Sequence, residues 1–517
     1  MARLEAARGE WEPFQIVVRG PLANVRAEAA PLSGPGGARL LKPRLYRVGY
    51  VQVTVPSSVE GHPGRWPDPL IPDVDAFAGE RRNAFPFAVP KGEVRAIWVE
   101  LFVPHEARPG DYRGAITLRA GARAPAEVPI ALAVHRFELP RSSSIPVTFG
   151  FNARALPLVH HHLRPGDEAA LAKRYALMAL RHRVSLHGGS MEPAAWTVSP
   201  GGRVRVDFRA YDAEVGPFLD GTADPDGPAD GARFSAIDLR LPAKLSGAML
   251  ADYARQMIAH LRARGWLSRV FDYTFDEPPP ERFGEVRARA EALRAIAPEV
   301  PRLVTTALTP ALAGAVDIWC PVVNWVDDKP SEPRHPGRAA YAEKGARIWW
   351  YQACASHGCD IVGGDYFTGW PSLVIDAPAV SHRILEWLTY RYQIGGELYY
   401  NTDEAYARGI DPFRDQRLHG GNGDGTLFYP GSPDRIGGKT PIPVGSIRLA
   451  LVREGLEDYE YLALHEARFG RAQTVAIAAS IAPRTFEWQH DGTRLYAARH
   501  QLAVDLDRAA VTAARHP

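Results

Sequence analysis

From about residue 147 onward, short β-branched and aromatic runs alternate with helix-length amphipathic stretches. That alternation restricts this part of the chain to an α/β architecture built on parallel strands. The segments 147–151, 184–187, 204–208, 270–275, 302–307, 317–323, 346–351 and 396–400 read as strands. Helical patterns fall at 167–182, 248–264, 281–296 and 377–393. Eight strands interleaved with helices predict a (β/α)8, or TIM, barrel over 146–445. The stretch 209–247 is rich in Asp, Gly and Pro and reads as a long loop at the barrel mouth. Helical segments at 446–469 and 495–514 make 446–517 a helical end packed on the barrel.

The first 140 residues have a different character. Phe14–Val18, Tyr50–Val55, Ala96–Val103 and Ala115–Leu118 are strand-like runs punctuated by Pro and Gly, which predicts a β-sandwich over 1–140. Pro109–Gly114 reads as a tight connection between two strands, and 56–90 as a loop rich in Pro and Gly. Leu139-Pro-Arg-Ser-Ser-Ser-Ile-Pro146 reads as a linker.

Composition narrows the function class. The 61 basic and 59 acidic residues nearly balance, and the basic ones are scattered. A nucleic-acid binder would carry a basic face, so none is expected as a partner. No apolar run reaches the roughly 18 residues of a membrane span. The N-terminus lacks the apolar core of a signal peptide and starts almost inside a strand. Localisation therefore stays open: extracytoplasmic for a processed precursor, otherwise cytoplasmic. Oligomeric state is not legible. Of three cysteines, Cys354 and Cys359 have a spacing that permits a bridge in an oxidising compartment.

The most informative segment is Phe271-Asp-Tyr-Thr-Phe-Asp-Glu-Pro278, a β-rich run ending in two adjacent acids and then three prolines. Residues at the C-terminal ends of barrel strands line the active site. Glycosyl transfer to water needs a proton donor for the leaving oxygen and a stabiliser of positive charge on the sugar. Asp276 and Glu277 can divide those roles. The alternative is helix capping, since acids and prolines also begin helices.

Further segments carry a resemblance. Arg8-Gly-Glu-Trp-Glu-Pro-Phe-Gln15 and Pro109-Gly-Asp-Tyr-Arg-Gly114 resemble the N-terminal sandwich of glycoside hydrolase family 123 and the related domain of unknown function 4091 group. Tyr273–Pro278 resembles that family's catalytic strand end, and Trp349–Tyr351, Arg383–Tyr392 and Gly396–Asn401 its last two barrel units. Gly423–Gly431, Ser446–Leu449 and Arg453–Glu460 form the most specific block. The resemblance implies a retaining, substrate-assisted β-N-acetylhexosaminidase favouring N-acetylgalactosamine, acting on a glycan or glycoconjugate. In such an enzyme Glu277 protonates the glycosidic oxygen and later activates water, while Asp276 orients the substrate's acetamido group as it forms an oxazoline. No metal and no organic cofactor are required.

Sugar sites combine aromatic faces with polar groups. Trp325, Trp350, Tyr351, Trp370, Tyr399 and Tyr400 fall at or after strand ends, and core packing is the alternative for each. Tyr351 is the candidate for the acetamido carbonyl. Asn152, His187, Asn324 and Asn401 also fall near strand ends. Gly420-Gly-Asn-Gly-Asp-Gly425 lacks the Lys-Ser/Thr of a phosphate loop and reads as a pocket-lining loop in which Asp424 contacts sugar. His160-His-His162 cannot place three rings on one helix face, so it is not expected to chelate.

Overall fold

A computed structural model describes all residues except 162, 189–191, 328, 330–334, 360–364 and 516–517. The N-terminal region is β-rich. Ala2–Arg8, Ala126–Glu138, Gly110–Ala120, Leu22–Ala29 and Phe87–Val89 lie side by side in one sheet, and Glu10–Arg19, Val94–Val103, Arg44–Val53 and Gly64–Pro72 in a second, wholly antiparallel one. The sheets face each other across a core that takes Ile116, Ile130 and Leu132 from the first and Ile16, Ile97 and Val99 from the second. Alternation explains this: residues two apart point the same way. The other face of the second sheet puts Val48, Leu70 and Trp98 against Ile447 and Ala450.

Two readings of this region need correction. The stretch 56–90 contains the strands Gly64–Pro72 and Phe87–Val89, and residues 110–114 begin a strand instead of joining two. Pro69 occupies the edge strand of its sheet, a place where proline is tolerated.

The C-terminal region is α/β with parallel strands in two sheets. Val147–Gly150 pairs with Ser185–His187 on one side and Glu397–Tyr399 on the other, and Trp350–Gln352 pairs with Glu397–Tyr399. In the second sheet Ile237–Asp238, Val270–Phe275, Arg302–Val304, Ile318–Trp319 and Arg347–Ile348 follow one another in chain order. Only Trp349 separates its last strand from Trp350–Gln352 of the first sheet. Among the described residues no ladder joins Ser185–His187 to Ile237–Asp238, so the strands form two sheets and not one continuous ring.

The expected third strand is also displaced. Val204–Asp207 pairs antiparallel with Ala195–Val198 in a hairpin, and the parallel position is taken by Ile237–Asp238. The stretch expected to be a loop, 209–247, thus holds a strand and the helix Arg209–Asp220, ended by Gly221 at φ 82°. A left-handed residue at a helix end is glycine's place. The helix expected over 377–393 is a 3-10 turn, Ala379–His382, followed by Leu385–Arg391.

The C-terminal segment consists of the helices Ile447–Phe469, Arg471–Ile481 and Gly492–Arg515. Ser446 caps the first by accepting from the Leu449 N–H at 3.1 Å. This helix is buried on nearly every side, between the N-terminal sheet and the α/β region. No helix of the described chain is long and apolar enough to cross a membrane.

Candidate active site

The carboxylate pair sits just beyond the strand Val270–Phe275. Phe271 and Tyr273 face the inner cluster that also contains Leu303, Ile318, Cys320, Val322, Trp349, Tyr351 and Leu398. Simple alternation would give the next inward place to Phe275. The pairing with Arg302–Val304 instead slips between Tyr273 and Phe275, and Phe275 packs on the opposite side. An extra residue in one strand re-aims the side chains after it. Asp276 thereby joins Tyr273, whose phenol donates to Asp276 Oδ1 at 2.8 Å.

Glu277 has a φ of 41°. This left-handed conformation disfavours a residue with a Cβ and has to be held by its surroundings. Thr305, one residue past the neighbouring strand, holds it. Its Oγ1 accepts from the Glu277 N–H at 2.6 Å and donates to Asp276 Oδ1 at 3.0 Å. Tyr351 donates its phenol to Glu277 Oε1.

The helix-capping alternative does not survive this geometry. The helix Phe283–Ile296 follows a 3-10 turn, Pro280–Arg282, and neither start receives a side-chain cap. Both acids are solvent-exposed and are anchored from below by hydroxyls. Burial and the adjacent carboxylates push the Tyr273 and Tyr351 phenols well above their ordinary range. Each therefore keeps its proton and acts as a fixed donor. Asp276 is oriented between two hydroxyls, whereas among the described residues only one oxygen of Glu277 is tethered. Cys320 lies beneath them, fully buried, its thiol pushed up by burial and by Asp276.

A second polar group stands beside Tyr273. His187 packs edge-on to the Tyr273 ring at 5.8 Å and places Nδ1 3.1 Å from the Thr148 hydroxyl. Burial, reinforced by Arg240, depresses its pKa to about 3, so the ring is neutral. Asp238 ends the strand at the position opposite Phe271, with Arg240 at 3.4 Å. Burial raises its carboxyl to about 6, against the pull of Arg240 and the Gly188 N–H. Thr305, Asp238 and Arg240 were not singled out from sequence. The only signal for Asp238 was a two-residue apolar-acid strand, Ile237–Asp238, inside a segment that reads as loop.

The other sequence candidates separate into groups. Trp325 rests half-buried against the inner cluster and stacks on His335 at 4.5 Å, and buried Asn324 precedes it in the same turn. Trp350 points the opposite way from Tyr351: its indole donates to Thr389 at 3.0 Å inside the helical core. It belongs to the core and not to a sugar site, because neighbours on a strand face opposite sides. Trp370 is buried against Phe486 and donates to the Tyr366 carbonyl at 2.5 Å. Asp424 is buried too, accepting from Tyr399 at 3.2 Å with His357 Nε2 at the same distance. Both Trp370 and Asp424 are thus held in buried surroundings. Tyr400 is half-buried, its ring 5.3 Å from that of Tyr399. Asn401 donates to Glu404 at 2.8 Å, and Asn152 caps the turn Ala153–Ala155.

Cys354 and Cys359 are joined in a disulfide in the loop that follows Tyr351. His160 Nε2 meets the Tyr175 hydroxyl at 2.9 Å, and His162 lies outside the described residues. Among the described residues no group of three His, Cys, Asp or Glu side chains is placed to hold a metal ion.

Two carboxyl groups at a parallel-strand end, held by phenols and a hydroxyl, are the kind of groups that glycoside hydrolysis uses. Two family models match the chain: the glycoside hydrolase 123 N-terminal domain over residues 2–120 and the glycoside hydrolase 123 catalytic domain over 232–465. The chain belongs to glycoside hydrolase family 123, and that membership supports glycosidase activity. Among solved structures it is similar in fold to a family 123 glycoside hydrolase from Clostridium perfringens described for glycolipid glycan hydrolysis. That likeness has a TM-score of 0.65 at 14% identity and covers 99% of this chain and 94% of that one. A putative glycoside hydrolase from Bacteroides vulgatus aligns at 10% identity over 90% of this chain and 79% of that one, with a TM-score of 0.29 too low to support any inference. No curated protein matches the chain.

Proposed function

We propose that the protein hydrolyses terminal β-linked N-acetylhexosaminides, N-acetylgalactosamine by preference, with retention and through an oxazoline intermediate. The observation that carries this reading is the unequal anchoring of the two acids. Asp276 accepts from both Tyr273 and Thr305, as suits a carboxylate that orients an acetamido N–H and balances charge. Among the described residues Glu277 accepts from Tyr351 alone and retains the freedom of a group that gives and regains a proton. Tyr351, bound to Glu277 here, would reach the acetamido carbonyl once substrate displaces that contact.

We also propose that the two parallel sheets of 146–445 together make up a (β/α)8 barrel. In it Arg347–Ile348 and Trp350–Gln352 count as one strand and Ser185–His187 neighbours Ile237–Asp238. Residues 1–140 form the sandwich and 446–517 the helical segment.

The test is turnover of p-nitrophenyl β-GalNAc, β-GlcNAc and β-galactoside. Glu277→Gln should lower kcat on the preferred substrate by about 10²- to 10⁴-fold. Unchanged turnover removes Glu277 from the mechanism. A thiazoline analogue of the oxazoline should inhibit competitively; hydrolysis that it leaves untouched rules out acetamido participation.

A further inference from the structure

Away from the acids, the N-terminal region carries a cavity of about 250 Å³ whose lining includes Arg47, Arg65, Arg95, Tyr50, Phe87 and Phe413. None of its lining residues is acidic. Arg65 and Arg95 place their guanidinium carbons 5.4 and 5.2 Å from the centre of the Tyr50 ring. Both pair with one carboxylate, Glu93, which does not line the cavity. Arg47 binds only backbone carbonyls, those of Ala84 at 3.1 Å and Asn83 at 3.5 Å, and among the described residues no carboxylate pairs with it. Burial and the charge of Arg95 lower its pKa, the mark of guanidiniums held together without a counter-ion. A fourth guanidinium, Arg435, lies 4.7 Å from the Phe413 ring but is matched by Asp411 at 2.6 Å.

Three guanidiniums sharing a single carboxylate leave uncompensated positive charge in a partly desolvated cleft. A guanidinium's planar fork matches sulfate and carboxylate oxygens. Beside it, Phe87, Pro69 and Ile71 offer apolar surface that a bare inorganic anion would not use. Aromatic and proline faces suit the C–H face of a sugar ring. The volume lies below the ~300–1,000 Å³ usual for larger ligands, so it fits one ring.

We propose that this cleft is a second glycan-binding site that takes a sulfated or carboxylated sugar residue. Phe413 comes from the α/β region, so the site straddles both parts of the chain.

Titration calorimetry of the full chain with a chondroitin sulfate tetrasaccharide tests it. Binding should weaken at least ten-fold in Arg65→Glu and in Arg95→Gln, and with rising salt. Turnover of a small aryl glycoside should be unchanged in both, and Glu277→Gln should bind the tetrasaccharide as the parent does. Equal affinity in the parent and both arginine variants overturns the proposal, as does equal affinity for a neutral oligosaccharide. Inorganic sulfate binding as tightly as the tetrasaccharide overturns the sugar assignment.

Discussion

Tyr351 does two things at once. Its side chain belongs to the inner cluster, and its phenol fixes the carboxylate that is to carry the proton. Removing the hydroxyl keeps the packing and deletes its hydrogen bond to Glu277. Tyr351→Phe should therefore fold normally and lose about 10- to 100-fold in kcat, with a smaller change in melting temperature than in rate. Full activity in that variant would mean that the Tyr351 hydroxyl serves neither Glu277 nor the acetamido group. The place of Asp276 and Glu277 at a strand end was legible, but spacing alone did not separate a catalytic pair from a helix start. For Trp350, period-two alternation already sets it opposite Tyr351. Trp370 and Asp424 were not legible in the same way, since their partners Phe486 and His357 lie far off in sequence.

At the scale of the element, the strand Val270–Phe275 works because it is irregular. Nothing in Tyr-Thr-Phe announces an extra residue in the ladder, since Thr and Phe are ordinary strand formers. The slip is set by Arg302–Val304, and Thr305 at the end of that neighbour pins the turn from outside. Thr305→Val keeps shape and β-branching but strands the Glu277 N–H and frees Asp276 Oδ1 from one donor. A buried or part-buried group left unpaired costs about 1–3 kcal/mol, and here it also releases the left-handed residue. The expected result is a loss of about ten-fold or more in kcat/KM and a lower melting temperature, partly recovered in Thr305→Ser. If Thr305→Val and Thr305→Ser behave alike, the hydroxyl does not hold the turn. The same dependence on neighbours hid Ile237–Asp238: two residues carry no periodicity, and only pairing with Val270 and Phe271 makes them a strand.

Across the whole molecule, the helix Ile447–Phe469 joins both regions through buried charge. Arg453 reaches Glu100 of the N-terminal sheet at 3.0 Å, and Arg383 meets Asp458 at 2.6 Å. Arg499, from the last helix, reaches Glu12 at 3.5 Å. Carboxylates outnumber cations here, and burial together with Glu457 raises Glu454 to about 8. Elsewhere burial raises Glu397 and Asp403 to about 7. A carboxyl with a raised folded-state pKa binds more protons folded than unfolded. Its contribution is complete below the unfolded value near 4.5 and is lost as pH climbs through the folded value. Buried His160, His182 and His382, depressed to about 4, act oppositely, adding stability as pH rises from about 4 to 6.5. Above pH 7 these histidines are neutral in both states, so the carboxyls decide the sign. Thermal stability should fall by about 1–2 kcal/mol between pH 7 and 8.5. Glu454→Gln, which removes the highest of these groups, should flatten that alkaline slope. A melting temperature that holds or rises from pH 7 to 8.5 would mean that these carboxyls are already ionised, with their charge matched by the surrounding arginines.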